Sequence, residues 1–188
     1  VAGIGCNGRF SRGARPRHEP LNPDPQPRMD DAVSRSGRVT IGIVAGEASG
    51  DVLAATLIHA VRARLPQARF VGVAGPRMEA AGCEAWFPLE TLAVRGFAEV
   101  LSRLPQLFAL RRALFRRLVA ERVPVFVGVD APDFNLGLEA RLKRAGVRTL
   151  HFVSPSVWAW RRERVHRIGR SVHRMLALFP FEPPIYEA

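Results

Sequence analysis

The chain has 188 residues, 47% of them hydrophobic, and carries 28 Lys+Arg against 17 Asp+Glu for a formal net charge of +11. That is enough apolar material for one sizeable core, and no apolar run approaches the ~18 residues of a membrane span. The two cysteines, Cys6 and Cys83, stand in no metal-ligand spacing, which argues against a zinc site and fits a reducing compartment.

Nearly all the base is arginine, with Lys143 the only lysine. An excess of this sign suits nucleic acid, an anionic membrane surface or phosphorylated substrates. The first 28 residues carry five of the 15 prolines, with many Arg and Gly and no periodicity. Such a segment buries too little apolar surface to offset the entropy of ordering. It also lacks the apolar centre of a signal peptide. We expect residues 1–38 to form a disordered Pro/Arg-rich leader, with Met29 as the natural start.

From Val39 the elements alternate. Val39 to Ala45 reads as a strand covered on both faces, because Val39, Ile41, Ile43 and Val44 are apolar and β-branched. Gly46 and Gly50 then allow a sharp turn, and Ser49 and Asp51 are suited to cap a helix starting near Val52. Backbone N–H groups and a positive helix end at such a turn favour an anion. The glycines match neither the dinucleotide fingerprint nor the phosphate loop. Helical spacing of Leu53, Leu57, Ile58, Val61 and Leu65 predicts a helix over about 50–65, ended by Pro66. A strand at 69–74, a short helix near 77–81 and a short strand at 84–87 follow. A long helix spans about 97–121, with a break expected at Pro105. A strand at 124–130, a helix at 135–145, a strand at 148–153, a helix at 161–170 and a strand at 175–179 complete the pattern. Strands and helices alternating at this spacing predict an α/β fold, a Rossmann-like parallel sheet with helices on both faces. Ligands gather beyond the carboxyl ends of such strands. The loops AGEASGD, AGPRM, DAPDFN and SPSVWAW all fall there.

Three stretches carry chemistry. In DAPDFN, Asp130 ends an apolar strand and is expected to be partly buried, where a carboxylate serves as general base, ribose ligand or metal ligand. Asp133 reads more simply as a helix cap. In SPSVWAW, Trp158 and Trp160 fit a ligand-facing wall somewhat better than a core, and a run of arginines from Arg161 suits either a solvated helix face or phosphates. The stretch 95–119 is apolar around most of its circumference, with Arg as its base. It reads equally as a helix packed broadly on the sheet or as an interfacial element on lipid, with Phe97, Val100, Leu101, Leu104, Leu107 and Phe108 facing the membrane.

VAGEASGD, FVGVAGPRMEAAGCEAW, VFVGVDAPDFN and HFVSPSVWAWR, in this order and spacing, resemble the N-terminal half of lipid A disaccharide synthase. The resemblance covers about Val39 to Phe181. It implies the N-terminal domain of a GT-B glycosyltransferase, with 39–188 as an acceptor-side domain truncated before the donor (UDP-sugar) domain. It implies transfer of diacylglucosamine from UDP-diacylglucosamine to lipid X on the inner face of the bacterial inner membrane, by an enzyme that is cytoplasmic and peripheral. It maps the catalytic base onto Asp130. Gly46, Glu47, Ser49, Gly50, Asp51, Asn135, Ser154, Ser156, Trp158, Trp160 and Arg161 become the substrate-binding candidates. Nothing in the sequence calls for a metal or a cofactor, and none is expected. Two other classes compete with this resemblance. A UDP-sugar epimerase of the same architecture has no use for an exposed apolar helix. A non-catalytic basic module for membrane or RNA is permitted by the charge, yet the chain shows no RNA-binding signature, so nucleic acid is not an expected partner.

Overall fold

A computed structural model of the chain describes residues 38–92, 97–154 and 168–179, with 97–103 followed as helical backbone. The leader expected over 1–38 lies outside the described residues apart from Arg38. The strands are β1 (Thr40–Ala45), β2 (Arg69–Ala74), β3 (Cys83–Pro88), β4 (Val125–Val129), β5 (Arg148–Phe152) and β6 (Arg174–Leu176). They form one sheet in the order β3-β2-β1-β4-β5-β6, and every neighbouring pair is parallel. Strand order therefore reverses between β1 and β4, the switch point at which doubly wound sheets hold ligands.

Parallel strands covered on both faces need apolar residues at successive positions, and β1 shows why TIGIVA suits the centre. Ile41, Ile43 and Ala45 face one layer, while Val44 faces the other. The first layer is α1 (Ala48–Arg62) and α2 (Pro76–Ala80), which bring Ala54, Ala55, Ile58 and Met78 onto the sheet. The second is α3 (Phe97–Ala120) and α4 (Pro132–Arg144), which bring Leu110, Leu114, Leu118, Phe134, Leu138 and Leu142 against Val71, Val73 and Phe126. Leu110, Leu114 and Leu118 recur every four residues, so one stripe of α3 is buried. Each fully buried leucine contributes roughly 1.5–3 kcal/mol. Among the described residues no helix is long and apolar enough to cross a membrane.

The first five strands lie within one residue of their predicted bounds, the last strand ends at Leu176, three residues before its predicted end, and helix starts differ more. α1 begins at Ala48 with Glu47 at its N-cap, so Ser49 and Asp51 lie inside the helix and do not cap it. α4 begins at Pro132, three residues earlier than predicted, because proline's fixed φ and missing N–H suit a first helical turn. The predicted break at Pro105 does not occur: α3 runs through it. Of the helix predicted over 161–170, residues 168–171 are described and helical up to Ser171.

Candidate active site

Two turns meet at the switch point. The β1–α1 turn supplies Gly46 and Glu47, and the β4–α4 turn supplies Asp130 and Ala131. They approach so closely that a Cβ on Gly46 would collide with the Ala131 Cβ. The requirement for glycine at 46 is thus a matter of contact between loops. Asp130 and Ala131 both adopt left-handed backbone, with φ of 54° and 44°. Residues with a Cβ hold that conformation only where their surroundings enforce it. Here the Asp130 N–H donates to the Phe152 carbonyl at 2.9 Å, and the Asn135 Nδ2 donates to the Asp130 carbonyl at 2.8 Å. The strand-to-helix turn then closes with the Phe134 and Asn135 N–H groups on the Ala131 carbonyl.

A cleft of about 360 Å³ opens between these turns and α3. Gly46, Glu47, Asp130 and Asp133 line its polar side, and Leu104, Leu107 and Phe108 its apolar side. Arg111 completes the α3 wall. Positions 104, 107, 108 and 111 share one helical face, offset from the buried stripe. The Arg111 guanidinium lies 4.9 Å from the centre of the Phe134 ring and 5.5 Å from that of Phe108, and its Nη2 donates to the Asp133 carbonyl at 2.9 Å. Burial, then the nearby Arg141 charge, push its pKa below the ordinary arginine value. The cleft thus joins carboxylates, one clamped cation and an apolar wall, a set fitted to a polar head carrying an apolar tail. The half-buried Asp130 carboxylate has no hydrogen-bond partner among the described residues and lines the cleft.

Several sequence candidates stand elsewhere. Asp51 is buried, and its carboxylate accepts from the N–H groups of Gly75 (3.1 Å), Arg77 (3.0 Å) and Met78 (3.0 Å). It therefore caps α2 from a neighbouring helix and is not part of the cleft lining. Asn135 is wholly buried, bonds backbone and is likewise not part of the cleft lining. Gly50 packs behind the site, where an added Cβ would lie 3.7 Å from the Asp130 Cβ. Ser49 is exposed on α1 and is not part of the cleft lining. Asp133 sits in the first turn of α4 without a side-chain cap bond, so the cap expected of it is not formed, and it lines the cleft instead. Ser154 is buried at the end of β5. Ser156, Trp158, Trp160 and Arg161 lie outside the described residues. Phe97, Val100 and Leu101 fall on the stretch of α3 described by its backbone alone.

Residues 41–188 match the model of the lipid-A-disaccharide synthetase family. The chain belongs to that family. It is 61% identical to the lipid-A-disaccharide synthase of Sodalis glossinidius and 60% identical to that of Salmonella arizonae, over 149 residues in each case. Those matches cover 79% of this chain and 39% of each relative, so the chain spans about two fifths of the length of these curated relatives. Among solved structures it is similar to a UDP-N-acetylglucosamine 2-epimerase from Listeria monocytogenes, with TM-score 0.55, 9% identity, and 80% of this chain and 42% of that one covered. It is also similar to MurG of Acinetobacter baumannii, with TM-score 0.50, 10% identity, and 76% and 41% covered. At these identities the likeness is one of fold, and it is the Rossmann-like fold expected of the family.

For this family member, sequence reasoning missed Arg111 and a buried pair, Glu139 and His151. Arg111 was legible as the fourth member of the 104–107–108 face. Glu139 interrupts the apolar face of α4 between Leu138 and Leu142, and His151 interrupts the apolar strand β5. Both are fully buried, with Glu139 Oε1 2.8 Å from His151 Nδ1. Burial, partly offset by the bond to His151, holds the Glu139 pKa above the ordinary carboxylate value.

Proposed function

We propose that this chain forms the acceptor-side domain of a glycosyltransferase that moves diacylglucosamine from UDP-diacylglucosamine to lipid X. The reaction is an inverting displacement. The 6-hydroxyl oxygen of lipid X attacks the anomeric carbon of the donor, and its proton passes to the Asp130 carboxylate. The bond from that carbon to the UDP oxygen breaks, and UDP departs with the electron pair. The products are the β-1′,6-linked disaccharide 1-phosphate and UDP. General-base assistance of this kind contributes roughly 10²–10⁴ in rate.

The observation that carries this reading is the position of Asp130 at the switch-point cleft, with an apolar wall built by Leu104, Leu107 and Phe108 facing it. On this reading the carboxylate meets the acceptor hydroxyl and the wall meets the start of an acyl chain. Leu104 and Phe108 are 36% and 60% exposed, and Arg112 and Arg116 lie exposed further along the same helix. Apolar residues beside arginine suit a peripheral seat on an anionic membrane surface such as the cytoplasmic leaflet. UDP-diacylglucosamine and lipid X are the substrates on this reading, and the donor is held by a second domain.

Binding of lipid X to this chain, measured by calorimetry in mixed micelles, tests the acceptor assignment. The expected result is saturable binding that weakens at least tenfold in Phe108→Ser, and weakens again when lipid X lacking its phosphate is used. Equal binding of a neutral detergent, or no binding of lipid X, would contradict it.

A further inference from the structure

The cleft accounts for Asp130, but three wholly buried polar side chains stand behind it. Asn135 and Glu139 lie one turn apart on the face of α4 that meets the sheet. Both fit there because β4 has no side chain at Gly128. A Cβ at that position would collide with the Glu139 carboxylate and lie 2.9 Å from the Asn135 Cβ. His151, the β5 partner of Gly128 in the ladder, faces the same notch and holds Glu139 at 2.8 Å. None of the three lines the cleft. Asn135 Oδ1, Glu139 Oε2 and His151 Nε2 have no hydrogen-bond partner among the described residues. Such groups cost stability, so stability alone gives no reason for their presence.

Their geometry supplies another reason. Both backbone groups of Asp130 are gripped from behind. Asn135 Nδ2 donates to its carbonyl, and the Phe152 carbonyl, next along β5 from His151, accepts from its N–H. Asp130 is left-handed and is followed by a left-handed Ala131, a pairing that relaxes when its supports are removed.

We propose that Asn135, lodged over Gly128 beside Glu139, is a positioning residue that locks the left-handed Asp130–Ala131 turn and so aims the Asp130 carboxylate into the cleft. The inference rests on Asp130 being the base. Asn135 acts only through Asp130, because it is wholly buried and is not part of the cleft lining. Its loss therefore reduces turnover and leaves the α3 wall, and with it acceptor affinity, in place.

The test uses the full-length enzyme carrying this segment, with Asp130→Asn, Asn135→Ala and Asn135→Asp compared to the parent. Asn135→Ala should lower kcat by about 10- to 100-fold, with the KM for lipid X within about threefold. An Asp at 135 donates only while protonated, so the kcat of Asn135→Asp relative to the parent should recover as pH falls. The melting temperature is followed over the same pH range, since a merely structural role would restore kcat only in step with stability, whereas positioning restores it in enzyme that is fully folded throughout. A folded Asn135→Ala enzyme with kcat within about threefold of the parent, beside an inactive Asp130→Asn, would overturn the positioning role and leave the base assignment standing. A fully active Asp130→Asn enzyme would overturn both. Should the Asn135 variants not fold, hydrogen exchange of the Asn135 side-chain amide in the parent decides. Protection comparable with the β4 backbone supports the bond to Asp130, and free exchange refutes it.

Discussion

Asp51 binds two of the loops at the cleft end of the sheet with one carboxylate. It is anchored in the second half-turn of α1 and reaches three N–H groups at the start of α2, 24 to 27 residues on. Charge-assisted bonds of this kind contribute roughly 1.5–3 kcal/mol, and a donor left buried without a partner costs more. Asp51→Ala should therefore lower the melting temperature by many degrees while leaving lipid X affinity of the folded protein unchanged; a loss of affinity without a loss of stability would return Asp51 to the binding site. Glu139 gives a pH-dependent prediction. Its folded pKa is raised, so the native state holds a proton that the unfolded state releases as pH rises past the ordinary carboxylate range of ~4.3. Stability from this group is present in acid and lost as pH rises towards the folded pKa. Glu139→Gln keeps the acceptor for His151 and cannot ionise. It should match or exceed the parent's stability at pH 7, with the difference shrinking toward pH 4; a Gln variant less stable at pH 7 than at pH 4, relative to the parent, would show that the ionised pair is stabilising. Residues differ in how far they could be read. Asp130 was legible because a carboxylate directly after VFVGV sits at a strand end. Asp51 was not, because its partners are distant in sequence and lie on another loop.

At the scale of elements, α3 is divided along its length. Leu110, Leu114 and Leu118 pack into the sheet layer, whereas Leu104 and Phe108 are exposed at the cleft. The core reading describes Leu110, Leu114 and Leu118, and the interfacial reading is kept as a proposal for Leu104, Leu107 and Phe108. Exchanging Leu104, Leu107 and Phe108 together for Ser should preserve a cooperative melt and reduce binding to anionic vesicles at least tenfold. Leu114→Ala should instead cost about 2–5 kcal/mol. If the triple variant fails to melt cooperatively, the three side chains belong to the core. The first five strands were legible almost to the residue from short apolar runs bounded by Gly, Pro or charged residues, whereas the end of β6 was not. Helix starts were less so, because their caps involve backbone and distant side chains in place of the local Ser or Asp that a sequence reader looks for.

At the scale of the molecule, the order β3-β2-β1-β4-β5-β6 decides which loops meet. β1 and β4 are neighbours although paired residues such as Ile41 and Val125 lie 84 positions apart, which is why AGE and DAP meet at one cleft. The alternation of elements revealed a parallel sheet, but the adjacency of these two loops depends on sheet order, which periodicity does not encode. On the proposed function the donor is held by a domain other than the acceptor's. This chain alone should then bind lipid X and show no turnover with UDP-diacylglucosamine, since both substrates must be held in line for reaction. Measurable product from the purified chain would contradict that division. Vesicle binding should weaken as salt rises, as the net charge of +11 requires of an electrostatic contact.

The most direct test of the central claim is the kcat of Asp130→Asn in the full-length enzyme, measured beside Asp133→Asn with lipid X affinity and melting temperature for both. Asn retains the shape of Asp130 but cannot accept the hydroxyl proton. The account predicts a stable enzyme that binds lipid X nearly as before and loses about two or more decades in kcat, while Asp133→Asn loses far less. A stable Asp130→Asn enzyme with near-normal kcat would contradict it.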